Sequence, residues 1–579
     1  MKKNPVQIFQ LGALILFAGL VAACAAQNLE VGLAVESTSR PQGTADSYFY
    51  FISAYEKELT GKIEEAEADY GNALKRDPSS ASLLARLASL KVRLGKIQEA
   101  ERLARETVRI DPSNSRGYLL LGGVLAARGD LPGAVEAYEE LVRIKPNENE
   151  GKLLLGTAYM ELGRNERAVG VFEGLLKAGP GNDLSRVYLS EVYIRLKRFS
   201  EAEKLLNLVV RKRPRFVRGL RTLGRLYERW EKFGEAEKAY KRVLELNPNA
   251  RAVRARLGQV YIRKDNIKSA LKEFEKLRKY EPKNLEVHRT LGFLRFERRN
   301  FQEALREFRI VLARNPKDEA VRRFVAAIYE ELDQFPLAER ELRQLIGLVP
   351  DSLAARLQLA RLFTRRKMWE AASVTLKGAE RIKPDEARVP FMRGVIFTKK
   401  KEHSKAIPYY ERAVQLNANE MTFHFNLATS YYEVKRWDDV EKVVRAILKE
   451  DPRHANALNL LGYMFSELNK NIEESEQLLI RALNIEPNNG AFLDSLGWIY
   501  YRQGRHKKAQ EKIQQALNNL PGDAVIHDHM GDIYLALKNI PFALESWRKS
   551  YEIDSTKKEV LEKIRRYGGT KSSPPLKDL

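Results

Sequence analysis

The chain has 579 residues, with 100 Lys and Arg against 77 Asp and Glu, a formal charge of +23. Its one cysteine, Cys24, excludes an internal disulfide framework. No glycine-rich loop follows a strand pattern and no nucleophile elbow is present, so the motifs that carry phosphate-binding and acyl-transfer chemistry are missing from the sequence.

The chain opens with Lys2 and Lys3, an apolar run over 8–23, and then Cys24. A charged start, a short apolar stretch and small residues at its end read as a secretory signal, and the run is shorter than the roughly 20 residues a membrane-crossing helix needs. Val21-Ala22-Ala23-Cys24 resembles the processing box of bacterial lipoproteins, with Val21 at a place where Leu is commoner. The resemblance implies that Cys24 becomes the first residue of the mature protein and carries acyl chains, which anchor stably when there are two or more. Ala25 follows, where an acidic residue would imply retention at the inner membrane, so the analogy places the protein in the outer membrane facing the periplasm. The other reading is an ordinary signal peptide with an incidental cysteine. Residues 1–23 are thus expected to be a lipoprotein signal peptide and 24–46 a flexible tether from the lipidated cysteine, since they show no helical period.

From 47 to 557 the sequence repeats. Pro78, Pro112, Pro146, Pro180, Pro214, Pro248, Pro282, Pro316, Pro350 and Pro384 are 34 residues apart, and Ala66, Ala100, Ala134 and their successors to Ala406 keep the same step. In each unit the eighth position is small: Gly122, Gly156, Gly224, Gly258, Gly292, Gly394, Gly462, Gly497 and Gly531, with Ala or Ser elsewhere. Fifteen such units fit, with one extra residue in the turn near 469–471. The unit from Gly490 to Asp523 reads as two amphipathic helices, Leu493, Leu496, Ile499 and Tyr500 forming one apolar stripe and Ala509, Ile513, Ala516 and Leu517 the other. Gly504 suits the turn between them, because glycine takes a left-handed conformation without steric cost, and Pro521 stops the second helix. A unit of this size buries its apolar face only against neighbours.

The period and residue types resemble the tetratricopeptide repeat, over about nine-tenths of the chain. The resemblance implies an all-α, right-handed superhelical solenoid of about fifteen repeats, with first helices lining a concave face that binds peptides or partner helices. Residues 558–567 read as a capping helix and 568–579 as a disordered tail.

In the family's geometry, positions 2, 5, 9, 12 and 13 of each first helix face the groove. The middle units place arginines there: Arg218, Arg221, Arg225, Arg229, Arg263, Arg289, Arg323 and Arg361. Residues 183–420 hold 55 Lys and Arg against 32 Asp and Glu and so carry the whole charge excess. Guanidinium forks suit carboxylates and phosphates. Acidic protein segments, anionic lipid head groups and cell-wall polymer are the candidate partners for an exported protein, nucleic acid is not expected, and plain solvation of exposed helices is the alternative. The late units place Tyr432, Tyr463, Asp494, Trp498, Tyr501, Asp528 and Asp532 on the same positions, and rigid aromatic side chains give contact area at low entropic cost.

His527, Asp528 and His529 form the one dense histidine cluster, but residues two apart on a helix diverge, so no metal site, cofactor or catalytic residue is expected. The closing stretch from Leu493 to Tyr534 resembles the end of a group of proteobacterial repeat lipoproteins. That group includes an adaptor that brings peptidoglycan hydrolases to a carboxyl-terminal processing protease. The resemblance implies a non-enzymatic, lipid-anchored periplasmic scaffold with a serine processing protease and wall hydrolases as partners. The alternative is an assembly factor for an envelope machine, a pilus secretin or polysaccharide export system.

Overall fold

A computed structural model describes residues 45–568, which form 31 α-helices and no strand. Cys24, the signal peptide, most of the tether and the tail after Gly568 lie outside the described residues. The helices alternate as fifteen pairs, from Ala45–Leu59 with Ile63–Arg76 to Ala524–Ala536 with Ile540–Ile553, and Lys558–Gly568 follows. First helices run from 12 to 15 residues.

Two kinds of local chemistry set this rhythm. Between the helices of a pair, one residue is left-handed. Glycine fills that place in Gly61, Gly95, Gly129, Gly163 and Gly504, the last at φ 73°, but ordinary residues such as Lys197, Asp265, Lys367 and Lys435 fill most of the others. Between pairs, the proline ends the second helix, and at many boundaries a short polar residue two positions later caps the next first helix: Asn114 accepts from Gly117 N at 2.9 Å and Asp318 from Val321 N at 3.1 Å, whereas Phe216 and Ala250 hold that place without a side-chain cap. The extra residue in the repeat after Pro452 is absorbed at the turn: helix Ala455–Leu468 gains a residue, and both Asn469 and Asn471 are left-handed.

Each pair closes around its eighth residue. A Cβ at Gly122, Gly224 or Gly394 would stand 2.3–2.5 Å from a ring carbon of Tyr138, Tyr240 or Tyr410, and at Gly531 2.4 Å from Trp547. These rings lie sixteen residues on, and where the eighth residue is Ser190, Ala326, Ala360 or Ala428 that place holds the smaller Leu206, Leu342, Leu376 or Val444. In these pairs small and large residues are matched, which keeps a close-packed interior with few voids, whereas the first pair holds Tyr70 sixteen residues after Ala54 and Gly497 faces Ile513. Tyr240 is fully buried, and its hydroxyl donates to Glu228 Oε2 at 2.7 Å, so burial leaves no polar group unsatisfied.

The described chain forms two compact units, one ending at Arg298 and one beginning at Arg299. In the first, a single core runs from Ala54 to Leu294. In the second, cores gather around Leu342 and Phe363, around Val444 and Phe465, and around Leu496 and Ile513. No described helix is long and apolar enough to cross a membrane.

Candidate functional site

Successive first helices touch at fixed positions, and this decides which predicted site residues are open. Residue five of one helix meets residue six of the next, 35 positions on. Arg323 Nε donates to Gln358 Oε1 at 3.3 Å, Asp494 Oδ1 lies 2.9 Å from His529 Nδ1, and Asp528 Oδ1 accepts from Lys563 Nζ at 2.8 Å. In the second unit the period of the sequence thus reappears in these three polar links between neighbouring helices.

In the first unit, helix Val217–Arg229 carries the arginine stripe. Arg218 lies half-buried with its guanidinium 4.1 Å from the centre of the Tyr188 ring, a cation–π contact. Arg225 faces Glu191 at 3.8 Å. Arg221 keeps part of its side chain in solvent, but shielding of its guanidinium by the surrounding helices, and then Arg218, Arg225 and Arg256 beside it, lower its pKa, Glu191 being the carboxylate that opposes them. The stripe is a positive surface only partly offset by its scaffold, since Arg225 faces Glu191 and Arg256 pairs with Glu228 at 3.1 Å while Arg221 has no ion pair of its own among the described residues. Arg256, which joins this group from the next first helix, was not legible as a groove residue because it stands at position six. Arg229 and Arg263 are exposed, and Arg289 pairs with Glu286 at 2.7 Å on its own helix.

In the second unit, Arg323 is tied into Gln358, whose amide also donates to Glu330 and to the Arg323 carbonyl. Arg361 keeps 66% of its side chain exposed, with Glu330 3.8 Å away.

The late residues come together in two places. Tyr432 packs edge-on against Trp437 at 5.4 Å, lies 6.3 Å from Tyr463, and donates its hydroxyl to Glu467. Burial first, and Glu467 beside it, push the Tyr432 phenol far above its ordinary pKa; burial does the same to Tyr463. Further on, Trp498 stacks between Tyr501, at 4.8 Å, and the His529 ring, at 4.0 Å. Asp494 and His529 are each 7% exposed. Asp494 is therefore a buried brace for the histidine under Trp498 rather than an open groove ligand. Trp498 and Tyr501 remain half-buried.

Asp528 and Asp532 are not free either. Lys563, on the closing helix, reaches Asp528 at 2.8 Å and both oxygens of Asp532 at 2.7 Å, and Trp547 Nε1 donates to Asp532 at 3.0 Å. Burial raises the Asp532 pKa despite Lys563, and the two carboxylates outweigh desolvation to raise that of Lys563. Lys563 stands 35 residues after Asp528, so the repeat spacing carried the signal for this link.

Among the described residues no group of three His, Cys, Asp or Glu side chains could hold a metal ion. His527 illustrates why: its Nε2 lies 3.0 Å from the Pro521 carbonyl, while His529 points the other way to Asp494.

Models of the tetratricopeptide repeat match residues 85–149 and 153–215, residues 231–292, 264–328 and 397–462, and residues 493–525, together more than half of the chain. The TPR repeat-containing protein PA4667 of Pseudomonas aeruginosa is 37% identical over 93 residues, 16% of each chain. The protein O-mannosyl-transferase Tmtc3 of Drosophila melanogaster is 26% identical over 136 residues, 24% of this chain and 15% of the fly protein. The chain thus spans about one sixth of the length of these curated relatives. Among solved structures, a chain of the crystal structure of the APC/C hetero-tetramer Cut9-Hcn1 aligns with a TM-score of 0.38 and 15% identity, covering 79% of this chain and 96% of that one.

Proposed function

The chain belongs to the tetratricopeptide repeat family, and from that premise we propose that it is a lipid-anchored scaffold of the bacterial periplasm, held to the outer membrane through Cys24. Its work is to hold a processing protease and cell-wall hydrolase substrates on one surface, which raises their effective concentration without chemistry of its own. The observation that carries the reading is the stacked Trp498–Tyr501 pair seated on His529, whose orientation Asp494 fixes. An aromatic platform already held in one geometry loses little entropy on binding.

A second reading, assembly of an envelope machine around an anionic load, draws on the arginine stripe of helix Val217–Arg229, where the charges of Arg218, Arg225 and Arg256 act on Arg221. Capture from envelope extract separates the two. Wild-type protein is expected to retain a serine protease and wall hydrolases, and Trp498→Ala with Tyr501→Ala is expected to lose them while helicity is unchanged. Recovery of secretin or export subunits instead supports the second reading. Cys24→Ser is expected to abolish membrane fractionation, and its persistence would count against the anchor.

A further inference from the structure

The two ends of the repeat array are finished differently. At the carboxyl end, helix Lys558–Gly568 lies over the last pair and buries Val560 to 1% exposure. At the amino end, helix Ala45–Leu59 leaves Tyr48, Phe49, Ile52 and Leu59 exposed, Phe49 at 68% and Ile52 at 62%.

Position makes this exposure informative. Phe49 is the third residue of its unit. In later first helices that place is held by Leu83, Val253, Val321, Phe492 and Ile526, all between 0 and 5% exposed. Its lining is the preceding second helix: a Cβ at Gly117 would meet Thr107 and Val108, and one at Gly219 would meet Val209 and Val210. Phe49 therefore presents a face that everywhere else in the chain is covered from the amino-terminal side. A whole further repeat is not the cover. The residue seven places on, on the same helix face, is Glu56, where other units have Leu90, Val124, Leu226 or Ile533 at 0–1% exposure, and a full helix pair would bury that carboxylate. A cover that fits this face is short and apolar, able to lie on Tyr48, Phe49 and Ile52 while leaving Glu56 in water.

The chain just upstream supplies such a segment. Residues 29–35, which lie outside the described residues, read Leu-Glu-Val-Gly-Leu-Ala-Val, with aliphatic side chains at Leu29, Val31, Leu33 and Val35 and one charge, Glu30. In extended form those four alternate onto one side. Nine residues separate Val35 from the helix at Ala45. At about 3.3 Å each they reach roughly 30 Å. Ile52 is seven residues into the helix, only about 10 Å along its axis. Attachment this short gives an effective concentration in the millimolar range, ahead of any free partner.

We propose that residues 29–35 fold back as an extended strip over Tyr48, Phe49 and Ile52, capping the amino end of the array. The proposal is independent of the adaptor reading.

Hydrogen exchange of the full chain, read by mass spectrometry over 45–59, tests it. Val31→Asp with Leu33→Asp is expected to speed exchange of that helix roughly tenfold, leave peptides from 490–523 unchanged, and give wild-type protection that does not vary with protein concentration. Unchanged exchange in the double variant would overturn the cap. So would protection that rises with concentration, marking a second copy, or that appears only when phosphatidylethanolamine–phosphatidylglycerol vesicles are added, marking a membrane surface. A disulfide formed between Leu33→Cys and Ile52→Cys in the Cys24→Ser chain is the second, fold-independent readout, and failure to form it under oxidation would count against the proposal.

Discussion

Replacing Gly224 by Ala probes the size matching inside the repeats. The added Cβ would stand 2.3 Å from Tyr240 Cε1 and 2.6 Å from Cδ1, well inside contact distance, and Tyr240 is fully buried and held by Glu228, so the ring or its helix must shift, toward the arrangement the first pair has with Ala54 and Tyr70. Overpacking of this kind costs about 1–3 kcal/mol. The exchange of helical glycine for alanine returns about 1 kcal/mol, leaving a net loss of about 0–2 kcal/mol, against the gain expected of the control. Gly170→Ala is the control, because Gly170 sits on an exposed helix face and a Cβ there meets nothing within 4 Å. It is expected to stabilise by about 1 kcal/mol. Urea unfolding of both variants, with exchange protection of the 217–246 helices as a local readout, measures the contrast. Tyr240→Leu, the residue type that accompanies Ala326 and Ala360, is expected to make Gly224→Ala stabilising in its background. If Gly224→Ala alone gains stability as Gly170→Ala does, the matching argument fails.

Lys435 is left-handed at φ 61°, where a side chain costs about 1–2 kcal/mol, so Lys435→Gly is expected to raise the free energy of unfolding by a net of about 0.5–1 kcal/mol after the extra chain entropy of glycine; a lowered urea midpoint would contradict this. Glu237 accepts from Lys241 at 2.7 Å and Lys264 at 2.6 Å. Burial alone would raise its pKa, but the two ammonium groups outweigh it and hold the carboxyl down at about 2, against an ordinary 4.5. Because the folded value is the lower one, the stabilisation is present above pH 4.5 and lost as pH falls toward 2. Glu237→Gln is therefore expected to flatten the acid limb of a stability–pH curve in that window, and an unaltered limb would refute the assignment. Arg221→Glu with Arg225→Glu is expected to weaken binding of a fluorescent polyglutamate peptide by at least about tenfold at low salt and to remove most of its salt dependence. Equal, salt-insensitive binding by both proteins would mean that the stripe only solvates its helix.

Much of the fold was legible because it is written in repeated residues with local duties. Proline every 34 residues and a small eighth residue mark where helices end and where they touch; the polar caps came from the structure. The turn residue was less legible. Gly504 announces a left-handed position, whereas Lys197 or Asp265 do not, since the packed pairs on either side impose that conformation on residues that disfavour it. The site divides in the same way. Positions 2, 5, 9 and 12 can be read off one helix, and they located the Trp498–Tyr501 platform and the Arg218–Arg225 stripe. Whether a side chain on that face is open depends on the helix 34 or 35 residues away. Asp494 vanished under His529, and Asp528 and Asp532 were claimed by Lys563, because position six of the following helix decides their surroundings.

The central claim, that partners engage the first-helix face, is tested most directly by site-specific photocrosslinking in the cell of origin. The photoreactive residue is placed at Tyr501 on a first helix and at Val374, which is 68% exposed on a second helix. The account predicts discrete protein adducts from position 501 and none from position 374. Adducts of equal yield from both, or from position 374 alone, would contradict it.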